Sequence, residues 1–189
     1  MKTRPDEIIE HGPVTLRRYR PDDLGALLQV TTASAEHLRP WLPWAQDLDS
    51  DAEARFLAEA QADWDAGTTY NYMIVAEGTL SGGIALMARI GPGVLEIGYW
   101  VRQDRTRRGL ASAATAALVA QAFQLPGVDR VEIVHDELNV ASGGIPRKLG
   151  FTQVGRRPID PPAMAGTGVG VVWCLRKEHG PAHGQGMVR

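Results

Sequence analysis

The stretch that decides the fold of this chain is residues 97–111, which read Ile97-Gly98-Tyr99-Trp100-Val101-Arg102-Gln103-Asp104-Arg105-Thr106-Arg107-Arg108-Gly109-Leu110-Ala111. The first five residues end a run of Val, Ile and aromatic residues that is typical of a β-strand. A basic, glycine-containing loop follows, and a helix is predicted from about Gly109 to Gln124. A helix N-terminus presents free N–H groups and about half a positive charge, so the loop predicts a phosphate site.

The same loop has a simpler interpretation as a solvated basic turn. Arg105, Arg107 and Arg108 would then face water, and Gly109 would be an ordinary loop glycine. The loop is neither a Walker loop nor the three-glycine dinucleotide fingerprint. A nucleoside triphosphate or NAD is therefore disfavoured as the ligand.

Length and composition predict one globular domain. The chain has 189 residues, of which 44% are hydrophobic and 22% are charged, and both fractions lie near globular averages. The net charge of −2 gives no overall attraction for nucleic acid or an anionic membrane. We expect neither as a partner, and any anion site must be local.

No targeting or metal-binding pattern is evident. Residues 1–12 lack the apolar core of a signal peptide, and the alanine-rich run Leu110–Phe123 is too short to cross a bilayer. Cys174 is the single cysteine, and no Cys/His cluster has zinc-ligand spacing. We expect a cytoplasmic protein without a metal.

Periodicity and turn residues predict the other elements. The predicted strands are Val14–Arg20, Thr69–Ala76, Gly83–Ile90, Val94–Val101, Val128–His135, Phe151–Gly155 and Val169–Arg176, and the other helices are Leu24–His37, Asp49–Gly67 and Asn139–Leu149. This order predicts an α+β sandwich, with about four helices on a mixed, mostly antiparallel sheet of about seven strands. We expect an N-terminal extension over 1–12, one domain over 13–177 and a flexible tail over 178–189.

Four segments share their order and spacing with one known family. They are Val14–Arg17, His37–Ala45, Ile97–Val101 through Arg108–Ala111, and Asn139–Ser142 through Arg147–Phe151. They resemble the GCN5-related N-acetyltransferase (GNAT) superfamily, and more narrowly its RimJ/RimL-type branch, which acetylates the N-termini of ribosomal proteins. The resemblance implies the GNAT fold, acetyl-CoA as co-substrate, and acetyl transfer to a primary amine, such as a protein N-terminus, by direct attack in a ternary complex. It also allows a homodimer.

The resemblance further implies where acetyl-CoA binds. Backbone groups of Trp100 and Val101 would hold pantetheine beside a splayed gap in the sheet, and Asn139 would bind the same arm. The residues implied at the pyrophosphate are Thr106, Arg107, Arg108, Gly109, Leu110 and Ala111. Trp41 and Trp44, in a proline-stiffened loop, would line the acceptor pocket, although tryptophans at this spacing also serve as packing residues.

Acetyl transfer needs a neutral amine, a polarised thioester carbonyl and a stabilised leaving thiolate. By resemblance, Ser142 lies near the sulfur and Glu96 lies near the gap as the general base, with His135 as the second candidate. Each has a structural alternative: Asn139 and Ser142 can simply begin a helix, Glu96 can form a salt bridge, and His135 can be structural.

Two departures from the family pattern affect the site. Thr106 stands where the loop usually has Arg or Gln, and the fourth helix contains Gly143-Gly144 and Pro146, which favour a weakened or kinked helix. Three other functions therefore stay open: a catalytically silent CoA-binding module, an acetyltransferase for a small amine such as an antibiotic or polyamine, and a nucleic-acid protein that uses the basic loop.

Overall fold

A computed structural model describes residues 3–177 as eight strands and five α-helices. The strands are β1 (Ile8–His11), β2 (Val14–Arg18), β3 (Thr69–Ala76), β4 (Thr79–Gly91), β5 (Val94–Val101), β6 (Arg130–Asp136), β7 (Thr152–Pro158) and β8 (Val169–Arg176). The helices are α1 (Leu24–Ala33), α2 (Ala35–Leu38), α3 (Ser50–Ala66), α4 (Leu110–Ala122) and α5 (Val140–Lys148). The strands form one sheet in the order β1-β2-β3-β4-β5-β6-β8-β7. This mixed, mostly antiparallel architecture confirms the predicted fold class.

Besides shifts of one to three residues at the ends of other elements, three elements differ from the sequence prediction. Ile8–His11, which was assigned to the N-terminal extension, forms an eighth strand that pairs with β2 and buries Ile9. The helix predicted over 24–37 is interrupted at Ser34 between α1 and α2. Strand β4 begins at Thr79 rather than Gly83, because Thr79, Leu80 and Gly82 pair with neighbouring strands although glycine has weak strand propensity.

The sheet carries a core on each face, because alternate residues of a strand point to opposite sides. On β5, Leu95 and Ile97 pack with α4, whereas Trp100 packs with α1 and α3. Helix α4 approaches the sheet closely through small buried residues such as Ala114 and Ala117. Within residues 3–177, no helix is long and apolar enough to cross a membrane.

The sheet opens between β5 and β6, its one parallel pair. Their pairing begins at Val94 and Arg130 and ends at Ile97 and Ile133. Strand β5 nevertheless continues to Val101, while β6 continues along β8. The backbone of residues 98–101 therefore has no strand neighbour on its β6 side.

Candidate active site

Helix α4 begins without a side-chain cap directly after the basic loop. Gly109 is the N-cap residue, with a φ of 77°, and no side chain accepts a hydrogen bond from the first turn. The amide of Ala113 donates to the Gly109 carbonyl at 2.9 Å, which leaves the preceding amides without a helical acceptor. A left-handed conformation favours glycine, and the absence of a side chain keeps the helix start accessible. This terminus can bind an anion through its backbone.

The basic side chains of the loop are not all available to a ligand. Arg105 forms an ion pair with Glu77, and Arg108 lies 3.9 Å from the same carboxylate. These two arginines, Arg105 first, lower the pKa of Glu77. Arg107 is exposed, with a φ of 60°, and Thr106 donates its hydroxyl to the Gln103 carbonyl at 2.9 Å. The Thr106 hydroxyl thus stabilises the turn that precedes the helix.

Two hydroxyl groups bridge β5 and the start of α5. Tyr99 donates its hydroxyl to the Ser142 carbonyl at 2.9 Å, and the Ser142 hydroxyl donates back to the Tyr99 oxygen at 3.2 Å. Burial is the main cause that raises the pKa of Tyr99 to about 12. The side chain of Asn139 accepts a hydrogen bond from the Ser142 amide at 3.1 Å, so it caps α5.

Tyr99 belongs to the site although sequence reasoning gave it no role. Strand alternation places Tyr99 on the same face as Ile97, towards α4, and that signal was available from the sequence. Its contact with Ser142 was not predictable, because 43 residues separate the two positions.

A cavity of about 510 Å³ lies between the sheet, helices α1 and α3, and the proline-stiffened loop that contains Trp41 and Trp44. Trp44 lines it and packs edge-on against Trp100, with their ring centroids 5.8 Å apart. Trp41 is half-buried and does not contribute to this lining. The structure therefore brings Trp44 to the cavity and leaves Trp41 outside it.

The floor of the cavity depends on a glycine of β4. A Cβ atom at Gly83 would lie 2.5 Å from the indole nitrogen of Trp100 and 2.7 Å from the Tyr19 hydroxyl. Glycine at this position allows both polar groups to approach the strand closely. The cavity also includes Gly98, Tyr99 and Trp100, so it adjoins the opening of the sheet.

The buried Glu96 carboxylate lies at the centre of an ion-pair network. One oxygen of its carboxylate accepts from Arg89 and the other accepts from Arg157. Arg157 also lies 3.6 Å from Glu132, which pairs with Arg130 at 3.2 Å. Glu96 therefore has the salt-bridge arrangement that was its structural alternative, although its side chain is only 4% exposed.

His135 uses both ring nitrogens within the core. The indole of Trp173 donates to Nε2 at 2.9 Å, so the proton lies on Nδ1, which donates to the Asp136 carbonyl at 2.8 Å. A Cβ atom at Gly143 would lie 2.6 Å from Nε2, which explains the glycine at that position. Helix α5 persists to Lys148 with Pro146 inside it. His135 thus has a structural arrangement.

An opened sheet beside an uncapped helix start can hold a ligand that has an extended arm and a diphosphate. Residues 14–152 match the family described as Acetyltransferase (GNAT) domain. The chain therefore belongs to the GNAT acetyltransferase family, and the expectation from the four segments is confirmed. Within residues 3–177, no group of three His, Cys, Asp or Glu residues could hold a metal ion.

One curated protein and two solved structures illustrate the similarity. The Bacillus subtilis (strain 168) protein YdaF, provisionally named a ribosomal N-acetyltransferase, is 26% identical over 162 residues, which cover 79% of this chain and 82% of YdaF. The structure of RimL, a ribosomal L7/L12 α-N-protein acetyltransferase in complex with coenzyme A, has a TM-score of 0.83 at 21% identity, with 90% of this chain and 98% of RimL covered. The microcin C7 self-immunity acetyltransferase MccE, in complex with acetyl-CoA and AMP, has a TM-score of 0.81 at 14% identity, with 87% and 93% covered. The two structures establish the shared fold.

Proposed function

We propose that this enzyme transfers the acetyl group of acetyl-CoA to a primary amine, and that the acceptor is the N-terminal α-amino group of a protein. One observation carries the proposal: the uncapped start of α4 lies directly after the strand whose end is unpaired at the opening of the sheet. A diphosphate can bind the first, and an extended amide-containing arm can bind the second. The names of RimL and YdaF support the choice of acceptor.

Each part of acetyl-CoA has a fitting set of residues. The amides of Gly109, Leu110 and Ala111 would bind the pyrophosphate, with positive charge from Arg107 and Arg108 beside them. The Thr106 side chain would act indirectly, by holding the loop through the Gln103 carbonyl. The thioester supplies an activated acetyl group, and this chain must orient it and exclude competing water.

Binding of the pantetheine arm is proposed for the open edge of β5. Peptide groups of Trp100 and Val101 would hydrogen-bond to its amides, since no strand occupies that side. Asn139 retains its side-chain NH2 group for the same ligand while its oxygen caps α5. The acceptor would enter from the cavity beneath Trp44, with Trp41 stiffening the loop from outside.

The proposed activity is tested by incubating the protein with acetyl-CoA and a panel of peptides and small amines. Mass spectrometry would detect a gain of one acetyl group, and thiol release would give the rate. We expect peptides with a free N-terminus to be acetylated and N-terminally blocked peptides to be inert. Acetylation of small amines alone would favour an antibiotic or polyamine substrate. Binding of acetyl-CoA without turnover of any amine would favour a silent regulatory module.

The Ser142–Tyr99 pair is proposed to assist the departing thiolate. The Ser142 hydroxyl can donate a proton to sulfur and regain one from the reacting amine nitrogen, directly or through water, while its contact with the Tyr99 oxygen positions it. We expect Ser142→Ala to lower kcat about tenfold, since water can partly replace the hydroxyl. The melting temperature should change little, because the Ser142 amide still donates to Asn139.

Ser50→Ala is the matched control, because Ser50 also lies in the first turn of a helix and is exposed. Its kcat should equal that of the wild type. If Tyr99→Phe and Ser142→Ala each reduce kcat and their double variant is no worse than either, the two hydroxyls act as one unit. An unchanged kcat in Ser142→Ala would leave Ser142 with only its structural role.

A further inference from the structure

The carboxylate of Glu53 lines the cavity, from the opposite side to the sheet. Glu53 lies on the first turn of α3, is 5% exposed and is part of the cavity wall. Its Oε1 atom lies 2.7 Å from the Thr31 hydroxyl of α1. Within residues 3–177, Glu53 forms no ion pair, unlike Glu96.

The Thr31 hydroxyl does not fully satisfy this carboxylate. It carries one proton but lies within hydrogen-bond distance of three acceptors: Glu53, the Leu27 carbonyl at 2.9 Å and the Leu28 carbonyl at 3.3 Å. Burial raises the pKa of Glu53, and the Thr31 contact opposes this rise. A buried carboxylate without a cation is costly, and such groups concentrate at functional sites.

No described side chain of the cavity lining forms an ion pair with the Glu53 carboxylate. Among the described lining residues, only Glu53 and Arg89 carry a formal charge, and Arg89 is paired with Glu96. The remaining lining is largely apolar, including Leu27, Phe56 and Trp44. The cavity therefore suits a ligand that has one cationic group and an apolar neighbour.

Glu53 shares this cavity with the opening of the sheet. The nearby Glu53 carboxylate contributes to the raised pKa of Tyr19, although burial of Tyr19 contributes more. The Tyr19 hydroxyl in turn lies against Gly83 beside the indole of Trp100. The Trp100 backbone forms part of the unpaired edge of β5, so the carboxylate and the proposed acetyl site face one continuous space.

We propose that the Glu53 carboxylate binds the primary ammonium group of the acceptor and removes one of its protons. This inference rests on the proposed acetyl transfer and adds the acceptor's chemistry: a primary ammonium followed by an apolar group. Glu53 also meets the requirement for a proton acceptor better than Glu96, because two guanidinium groups already occupy the oxygens of Glu96.

The protons and electrons of the step balance. The ammonium group gives one proton to Glu53 and becomes a neutral amine. The nitrogen lone pair forms a bond to the thioester carbonyl carbon, and the carbon–sulfur bond breaks with its electron pair on sulfur. The nitrogen then loses a second proton, which the thiolate acquires through Ser142 or water. The products are an amide and a free thiol, and Glu53 later releases its proton to solvent.

Two measurements on Glu53→Gln test this proposal. First, binding of n-hexylammonium is followed through tryptophan fluorescence, since Trp44 and Trp100 line the cavity. We expect about 30-fold weaker binding than in the wild type, because the amide cannot pair with a cation. Binding of n-hexanol, which has no charge, should be unchanged. Second, kcat/KM with the best amine of the panel should fall by at least as much, and the acid limb of its pH profile should shift or vanish.

Stability distinguishes this role from a structural one. Because its pKa is raised in the folded protein, Glu53 destabilises the fold as the pH rises above the ordinary value of 4.5. Glu53→Gln should therefore melt at or above the wild-type temperature at pH 8, and this advantage should shrink below pH 4.5. A loss of function together with retained or increased stability is expected only of a functional carboxylate.

Glu59→Gln is the matched control, because Glu59 is an exposed glutamate on the same helix. It should behave as wild type in every assay. Equal n-hexylammonium binding by wild type and Glu53→Gln would overturn the proposal. If that binding depends on Glu53 but no amine is acetylated, the ammonium site stands and the proposed acetyl transfer fails.

Discussion

Gly109→Glu is expected to abolish measurable coenzyme A binding. The substitution would place a carboxylate at the uncapped start of α4, where the pyrophosphate is proposed to lie. A like-charge contact costs several kcal/mol, so the Kd measured by calorimetry should rise by at least about 100-fold. The protein should still fold, because a Cβ atom at Gly109 meets nothing within 4 Å.

Gly127→Glu separates the ligand effect from backbone strain. Gly127 also has a positive φ, of 76°, and open space around its Cα, but it follows the other end of α4. Both variants carry the strain of a left-handed residue, about 1 kcal/mol, and the same added charge. Only Gly109→Glu should lose coenzyme A. Wild-type affinity in Gly109→Glu would reject the proposed phosphate site at the start of α4.

Glu96→Gln is expected to destabilise the fold by about 2 kcal/mol. A neutral amide cannot balance Arg89 and Arg157, and breaking a buried ion pair by removing one partner costs more than an exposed one. The two arginines are 62% and 36% exposed and can be partly rehydrated, so the loss should be smaller than for a fully buried pair. Denaturant unfolding measures this loss directly.

Kinetics of the same variant test the catalytic role that the sequence predicts for Glu96. Measured well below the melting temperature, kcat should retain the acid limb of its pH profile if Glu96 only anchors the arginines. Disappearance of that limb, with stability unchanged, would instead identify Glu96 as the base. Glu10→Gln provides the control, because Glu10 is an exposed strand glutamate.

The homodimer that the resemblance allows stays a prediction.

The sequence by itself predicted the elements whose boundaries are marked by local chemistry. Asp49 is the N-cap residue of helix α3 and accepts a hydrogen bond from the Ala52 amide. Gly67 is the C-cap residue, with a φ of 73°. Strands β3, β5 and β8 have the predicted bounds. Capping residues, glycine stops and apolar runs act within a few residues, and a single sequence contains that information.

Strand β1 could not be predicted from the local sequence. Ile8–His11 is a short segment with two isoleucines, and only pairing with β2 makes it a strand. The same holds for Gly82 and Gly83, where weak strand propensity is overridden by pairing on both sides and by the close approach of Trp100.

The surroundings of Glu53 and Glu96 were decided only by the tertiary structure. The sequence placed Glu96 near the opening of the sheet, but Arg157, one of its partners, comes from a strand 61 residues away. Glu53 had no role predicted from the sequence, and its carboxylate lines the cavity only because α1 and the sheet enclose it. The local sequence pattern was therefore enough to predict the helix start that suits a phosphate, because that site consists of consecutive backbone amides. Burial and pairing of a charge depend on residues distant in sequence, so the fold alone determined which carboxylate lines the cavity.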